Sequence, residues 1–208
     1  IGDNSGFLYE YHLDSKALEQ HPLIQNPTEN IPKSEKPDFE SITHFQDTLY
    51  IFGSGSTPKR NTMIECDLNQ KKKIKSNWYL FNRGNGSSNK NTLFTLHAKK
   101  ISDEFSLLSN DYKLPKIKGV RSTFTDAVLV NDKIYFLATV EDTKSTYDDG
   151  TILGSFIGRI DLETMKIDFT KKISSTHKFE GITVFSNTTN KIEFLLCEDN
   201  DTDELTTT

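Results

Sequence analysis

Three carboxylates stand at like places in a repeated pattern: Glu40 in Asp38-Phe39-Glu40-Ser41-Ile42, Asp126 in Phe124-Thr125-Asp126-Ala127-Val128, and Glu180 in Lys178-Phe179-Glu180-Gly181-Ile182. Like-placed acids converge when repeats circle a common axis. Converging carboxylates repel, so they need a proton, a metal ion or basic partners. Arg60, Arg83 and Arg121, each near the start or end of a repeat's central strands, are the expected partners, and Asp3 joins the residues expected to line the channel. Two chemistries follow. Acids paired with arginines form a structural ring whose mouth would meet a small polar or anionic ligand. A divalent cation on Glu40, Asp126 and Glu180, calcium being a hard ion suited to oxygen ligands, would instead activate water to hydrolyse a phosphate ester or lactone.

Other chemistry-bearing patterns have plainer readings. Asp199-Asn200-Asp201-Thr202-Asp203-Glu204 alternates acids as a calcium loop does, but Glu204 stands where the sharp turn needs glycine. It reads as an exposed acidic turn, as does the loop bearing Asp142, Asp148 and Asp149. The glycine-rich stretches Gly53-Ser54-Gly55-Ser56 and Gly84-Asn85-Gly86-Ser87-Ser88 follow strands, yet neither is followed by Gly-Lys-Ser/Thr and a helix, so they read as tight loops, whose backbone amides could still hold an anion such as a phosphate ester beside Arg60 or Arg83. His12, His21, His44, His97 and His177 are scattered, and His44, on an inner strand, is expected in the core. No Gly-x-Ser-x-Gly elbow occurs. Cys66 and Cys197 lack metal or redox spacing and are expected to be buried thiols.

The elements that must position these residues are strands. Leu49-Tyr50-Ile51-Phe52 and Ile134-Tyr135-Phe136-Leu137 are apolar in both alternating sets, so both faces must be covered. Stacked blades do that, whereas a two-layer sandwich gives cleaner alternation. Alternating strands around polar turns, such as Leu8–Leu13 into Asp14-Ser15-Lys16-Ala17 and then Leu18–Ile24, make hairpins of the outer strands. Ser15–Gln20 also suits a short helix, but its place in the repeat predicts turn and strand. The expectation is an all-β, single-domain β-propeller over residues 1–208, with about five antiparallel blades or six.

The repeat is irregular at three places. The chain begins mid-blade at Ile1-Gly2-Asp3 and stops mid-blade after Cys197, and no inner strand precedes Trp78. Residues are therefore expected to be missing at both ends and between Ser76 and Asn77.

Pro37-Asp38-Phe39-Glu40, Phe52-Gly53-Ser54-Gly55-Ser56, Phe81–Gly86 and Phe179-Glu180-Gly181-Ile182 resemble an uncharacterised family of bacterial propeller proteins, itself similar to phytase-like and esterase-like propellers. The resemblance spans nearly the whole chain. It implies a propeller and carries no activity.

Composition narrows the partners. A net charge of −5 over 208 residues argues against nucleic acid, and the one basic run, Lys71-Lys72-Lys73 with Lys75, reads as a solvated strand edge. No apolar run approaches the roughly 20 residues of a membrane span. Compartment stays open between cytoplasm and periplasm. The favoured function is a binding or scaffold module for a small polar or anionic ligand; the rivals are the cation-dependent hydrolase and a platform whose outer faces dock a protein partner.

Overall fold

A computed structural model describes residues 4–45, 48–54, 63–67, 76–83, 90–98, 106–143 and 150–199, and every regular element among them is a β-strand. They fall into two compact units, Ile1–Lys73 and Ile74–Thr208. No helix among the described residues is long and apolar enough to cross a membrane.

In the first unit, β1 (Phe7–Tyr11) and β2 (Leu18–Pro22) form an antiparallel hairpin. Its turn is closed by the His12 N–H donating to the Ala17 carbonyl at 2.9 Å, with Lys16 in left-handed backbone at φ 56°. Ser15-Lys16-Ala17 is thus a turn, as its place in the repeat predicts. β2 ends at Pro22, short of Ile24, because the chain bends away through Asn26 at φ 56°. β3 (Phe39–Phe45), β4 (Thr48–Gly53) and β5 (Met63–Asp67) follow as a meander, with Tyr50 and Ile51 buried.

The second unit holds three sheets. β6 (Ser76–Asn82), β7 (Asn91–Ala98) and β8 (Ser106–Tyr112) form a meander. β9 (Lys116–Ile117), β10 (Val120–Val130), β11 (Lys133–Asp142), β12 (Thr151–Asp161) and β13 (Lys166–Ser174) form a five-stranded sheet in chain order. β14 (Phe179–Asn187) and β15 (Ile192–Glu198) close the series as a hairpin. Where a break is expected, β6 runs across Ser76–Asn77 in unbroken register, opposite Ala98 and His97.

The doubly apolar code of β11 has the cause expected of it. Ile134, Phe136 and Ala138 join one buried cluster with Leu93 of β7, Leu114, Phe124 and Ile160, closed by Phe81 and Tyr112. Phe124 meets Phe81, Tyr112 and Phe136 edge to face, at centroid distances of 4.9, 6.2 and 5.1 Å. From the other side of β11, Tyr135 packs on Phe194 of β15 at 4.9 Å, and the Thr139 hydroxyl donates to the Phe179 carbonyl of β14 at 3.4 Å. The five-stranded sheet is therefore layered between two others, and Leu137 and Val140 are fully buried. Burial of each large apolar side chain contributes about 1.5–3 kcal/mol, which makes this layering the main source of the unit's stability.

Two expectations are corrected. His44 is exposed: β3, which carries it, is an edge strand of its sheet, and no described residue of its unit forms a layer over it there. Cys197 is an exposed free thiol for the same reason on β15, while the side chain of Cys66 lies outside the described residues.

Candidate functional site

Three strands, β3, β10 and β14, open with the same defect. Their pairing slips by one residue between Phe39 and Ser41 in β3, between Phe124 and Asp126 in β10, and between Phe179 and Gly181 in β14. The extra residue of each bulge is Glu40, Thr125 and Glu180. A bulge sharpens the local twist and re-aims the side chains beside it. Asp126 therefore corresponds to Ser41 and Gly181, one position after Glu40 and Glu180, and the like placement of the three acids is corrected. The phenylalanine before each bulge is the signal that aligns the repeats; the acid is not.

In the second unit this geometry builds a charged cluster at the start of β14. Glu180 is half-buried and accepts a hydrogen bond from Arg83 Nη2 at 3.1 Å. Lys178, with only 8% of its side chain exposed, places Nζ 3.7 Å from Glu180 and 3.5 Å from Asp199. Cation and anion alternate along Arg83, Glu180, Lys178 and Asp199, so each near-buried charge has an opposite neighbour. At the rim, His177 stacks on Phe179, with centroids 5.8 Å apart, and its Nδ1 lies 2.9 Å from the Glu198 carboxylate.

Beneath the cluster, side chains of the five-stranded sheet hold the main chain of β14. Thr125 Oγ1 donates to the Phe179 carbonyl at 2.8 Å. Ser155 Oγ donates to the His177 carbonyl at 2.7 Å and accepts from the Phe179 N–H at 3.3 Å. Asp126 Oδ2 accepts from the Ile182 N–H at 2.8 Å. The bulge at Thr125 lets two successive residues of β10 reach the same neighbour, which strict alternation forbids.

Burial pushes the Asp126 carboxyl above its ordinary 3.8, against the N–H bonds from Ile182 and Ala127, which favour the anion. The native state thus binds this proton more tightly than the unfolded chain does. The resulting stabilisation is complete below the ordinary value and is lost as pH rises through the raised one. Asp126→Asn keeps an oxygen for the Ile182 N–H and removes the titration. Urea unfolding across pH 3–7 is expected to show that falling component in the wild type and its loss in the variant; an unchanged slope would remove Asp126 as its source.

The other expected residues stand on other elements or lie outside the described residues. Arg121 is exposed on β10, opposite Lys116 of β9. Glu40 is exposed and belongs to the first unit, near the buried pair formed by Lys36 Nζ and Asp38 at 2.8 Å. Asp3, Arg60, the lysine run, residues 55–56 and 84–88, Asp148, Asp149 and the acidic turn beyond Asp199 lie outside the described residues. Lys178, Asp199, Thr139 and Ser155 are the members that motif reading misses. A signal for Lys178 exists: it stands where Asp38 stands in the earlier repeat. Each carbonyl accepts from the residue after its partner strand, Ser54 N–H in one case and Asp199 N–H in the other.

The chain belongs to a family of unknown function (DUF6929), matching it over residues 1–77 and 73–208. The two matched segments overlap at residues 73–77, beside the division between the compact units at Lys73 and Ile74. No curated protein and no solved structure matches the chain, so no match links it to phytase-like or esterase-like propellers.

Proposed function

We propose that the chain is a β-propeller binding module that takes a small anionic or polar ligand where its inner strands begin, with Arg83 as the principal contact. The carrying observation is that Arg83, 39% exposed, ends a balanced chain of four charges whose other cation, Lys178, is nearly buried between Glu180 and Asp199. The planar Arg83 guanidinium suits the oxygens of a carboxylate or phosphate. The propeller reading draws support from the four-stranded meander β10–β13, from the sheets layered on both its faces, and from a bulge repeated at three strand openings. Because Glu180 has organic cations as counter-charges, it fits a charge-paired mouth better than a metal ring.

Thermal-shift and calorimetric titration with inorganic phosphate, sulfate, citrate and sugar phosphates tests the proposal. A ligand at a hundred times its Kd stabilises the native state by about 2.7 kcal/mol, a clear rise in Tm. Arg83→Ala is expected to weaken that binding at least tenfold. A panel that leaves Tm unmoved, or an Arg83→Ala protein that binds as the wild type does, would overturn the reading.

A further inference from the structure

The β1–β2 hairpin, remote in sequence from the cluster on β14, collects two histidines and two glutamates on one face. Glu10 and His12 are two residues apart along one arm, and Glu19 and His21 along the other. Residues two apart share a face of a strand. Register sets Glu10 directly opposite Glu19, and His21 opposite Leu8. Two carboxylates facing each other across a strand pair repel and destabilise it, so this pairing gains from a cation between them.

The donor atoms are arranged around such a point. His12 Nε2 lies 3.2 Å from Glu19 Oε1 and 3.9 Å from Glu10 Oε1. One ligating atom from each of the three residues falls within 4.8 Å of the others. A tetrahedral ion with bonds of about 2.0–2.1 Å separates its ligands by roughly 3.3 Å, near the 3.2 Å between His12 and Glu19 and within a small side-chain adjustment of the others. The second oxygen of Glu10, Oε2, lies 2.9 Å from His21 Nε2, the kind of outer contact that orients a ligating carboxylate.

A proton on His12 would also supply positive charge, but it would aim an N–H at an acceptor. His12 Nε2 has none in hydrogen-bonding line, and the atom is enclosed although the ring as a whole is 41% exposed. We propose that Glu10, His12 and Glu19 bind a Zn²⁺ ion, with His21 positioning Glu10. Imidazole and carboxylate donors in tetrahedral spacing suit zinc, whereas calcium and magnesium take all-oxygen shells with more ligands. Three protein ligands leave the fourth position to water, on a surface open to solution.

The test uses the full chain stripped with a chelator and titrated calorimetrically with zinc chloride. One zinc ion is expected to bind at this site, undisplaced by millimolar calcium or magnesium. His12→Ala should abolish that equivalent, Glu19→Gln should weaken it at least tenfold, and His21→Ala should weaken it about 10–100-fold. His177→Ala, on the other unit, should leave it unchanged. Circular dichroism without metal establishes that each variant folds, and the three hairpin variants serve as independent tests if one does not. Failure of the wild type to bind zinc, or an undiminished zinc equivalent in folded His12→Ala or Glu19→Gln, would overturn the assignment.

Discussion

Phe136→Ala is expected to lower the unfolding free energy by about 3–5 kcal/mol, seen as a fall in urea midpoint at unchanged m-value. The ring is fully buried and stands edge-on to Phe124, at 5.1 Å and 89°. Directly opposite it in the ladder is Gly158 of β12. A Cβ there would come within 2.2 Å of the Phe136 ring tip, so the glycine exists to make room for the ring. Gly158→Ala should therefore cost about 1–3 kcal/mol by overpacking. Combined with Phe136→Leu, it should cost less than the two single changes summed, because both act on one space. A strictly additive double variant would show that ring and glycine do not share it.

Asn91→Ala is expected to cost about 2–5 kcal/mol, which a single exposed polar residue would never do. Asn91 opens β7 and is buried. Its Nδ2 donates to the Ser122 carbonyl at 3.0 Å, and its Oδ1 accepts from the Phe124 N–H at 3.2 Å. The physical need arises on β10. Past the β9 pairs at Val120 and Arg121, the Ser122 N–H still donates to the Pro115 carbonyl at 3.0 Å, but proline has no N–H to return to the Ser122 carbonyl. One side-chain amide, with one donor and one acceptor, substitutes for the missing rung. Alanine would leave a buried carbonyl and a buried N–H unsatisfied, each at about 1–3 kcal/mol. Asn91→Asp should fail as well, since it turns an anionic oxygen towards the Ser122 carbonyl. Equilibrium unfolding decides: an Asn91→Ala protein within about 0.5 kcal/mol of the wild type would refute the bridging role.

The strands were readable in the sequence because their cause is local. The doubly apolar run Ile134–Leu137 announces a strand covered on both sides, and the layers on either face of β11 supply that cover. What local pattern hides is a shift of one residue. Glu40, Asp126 and Glu180 look alike because each precedes a small and then an apolar residue. Strand pairing counts the bulge instead, and that moves Asp126 out of line. The partners of Glu180 were half readable: an arginine was expected, and Arg83 is there, but nothing in Lys178 by itself says that it will be nearly buried. Burial of a lysine depends on which sheet lies over it, a long-range property that periodicity does not encode. His44 and Cys197 err the same way, since apolar neighbours along a strand do not say whether that strand is outermost in its sheet. The hairpin cluster escaped for a related reason: Glu10, His12, Glu19 and His21 match no spacing motif, and only the cross-strand register puts them together.

β14 joins the layer beneath it through hydroxyl and carboxylate side chains gripping its main chain, with no inter-strand ladder between them. Those bonds and the packing of Tyr135 on Phe194 hold the hairpin, so opening there would break none of the five-stranded sheet's own rungs. Partial opening there costs less than global unfolding. The Arg83–Glu180 contact would part in the same movement, which makes occupancy of the charged cluster and closure of this hairpin a single coupled equilibrium.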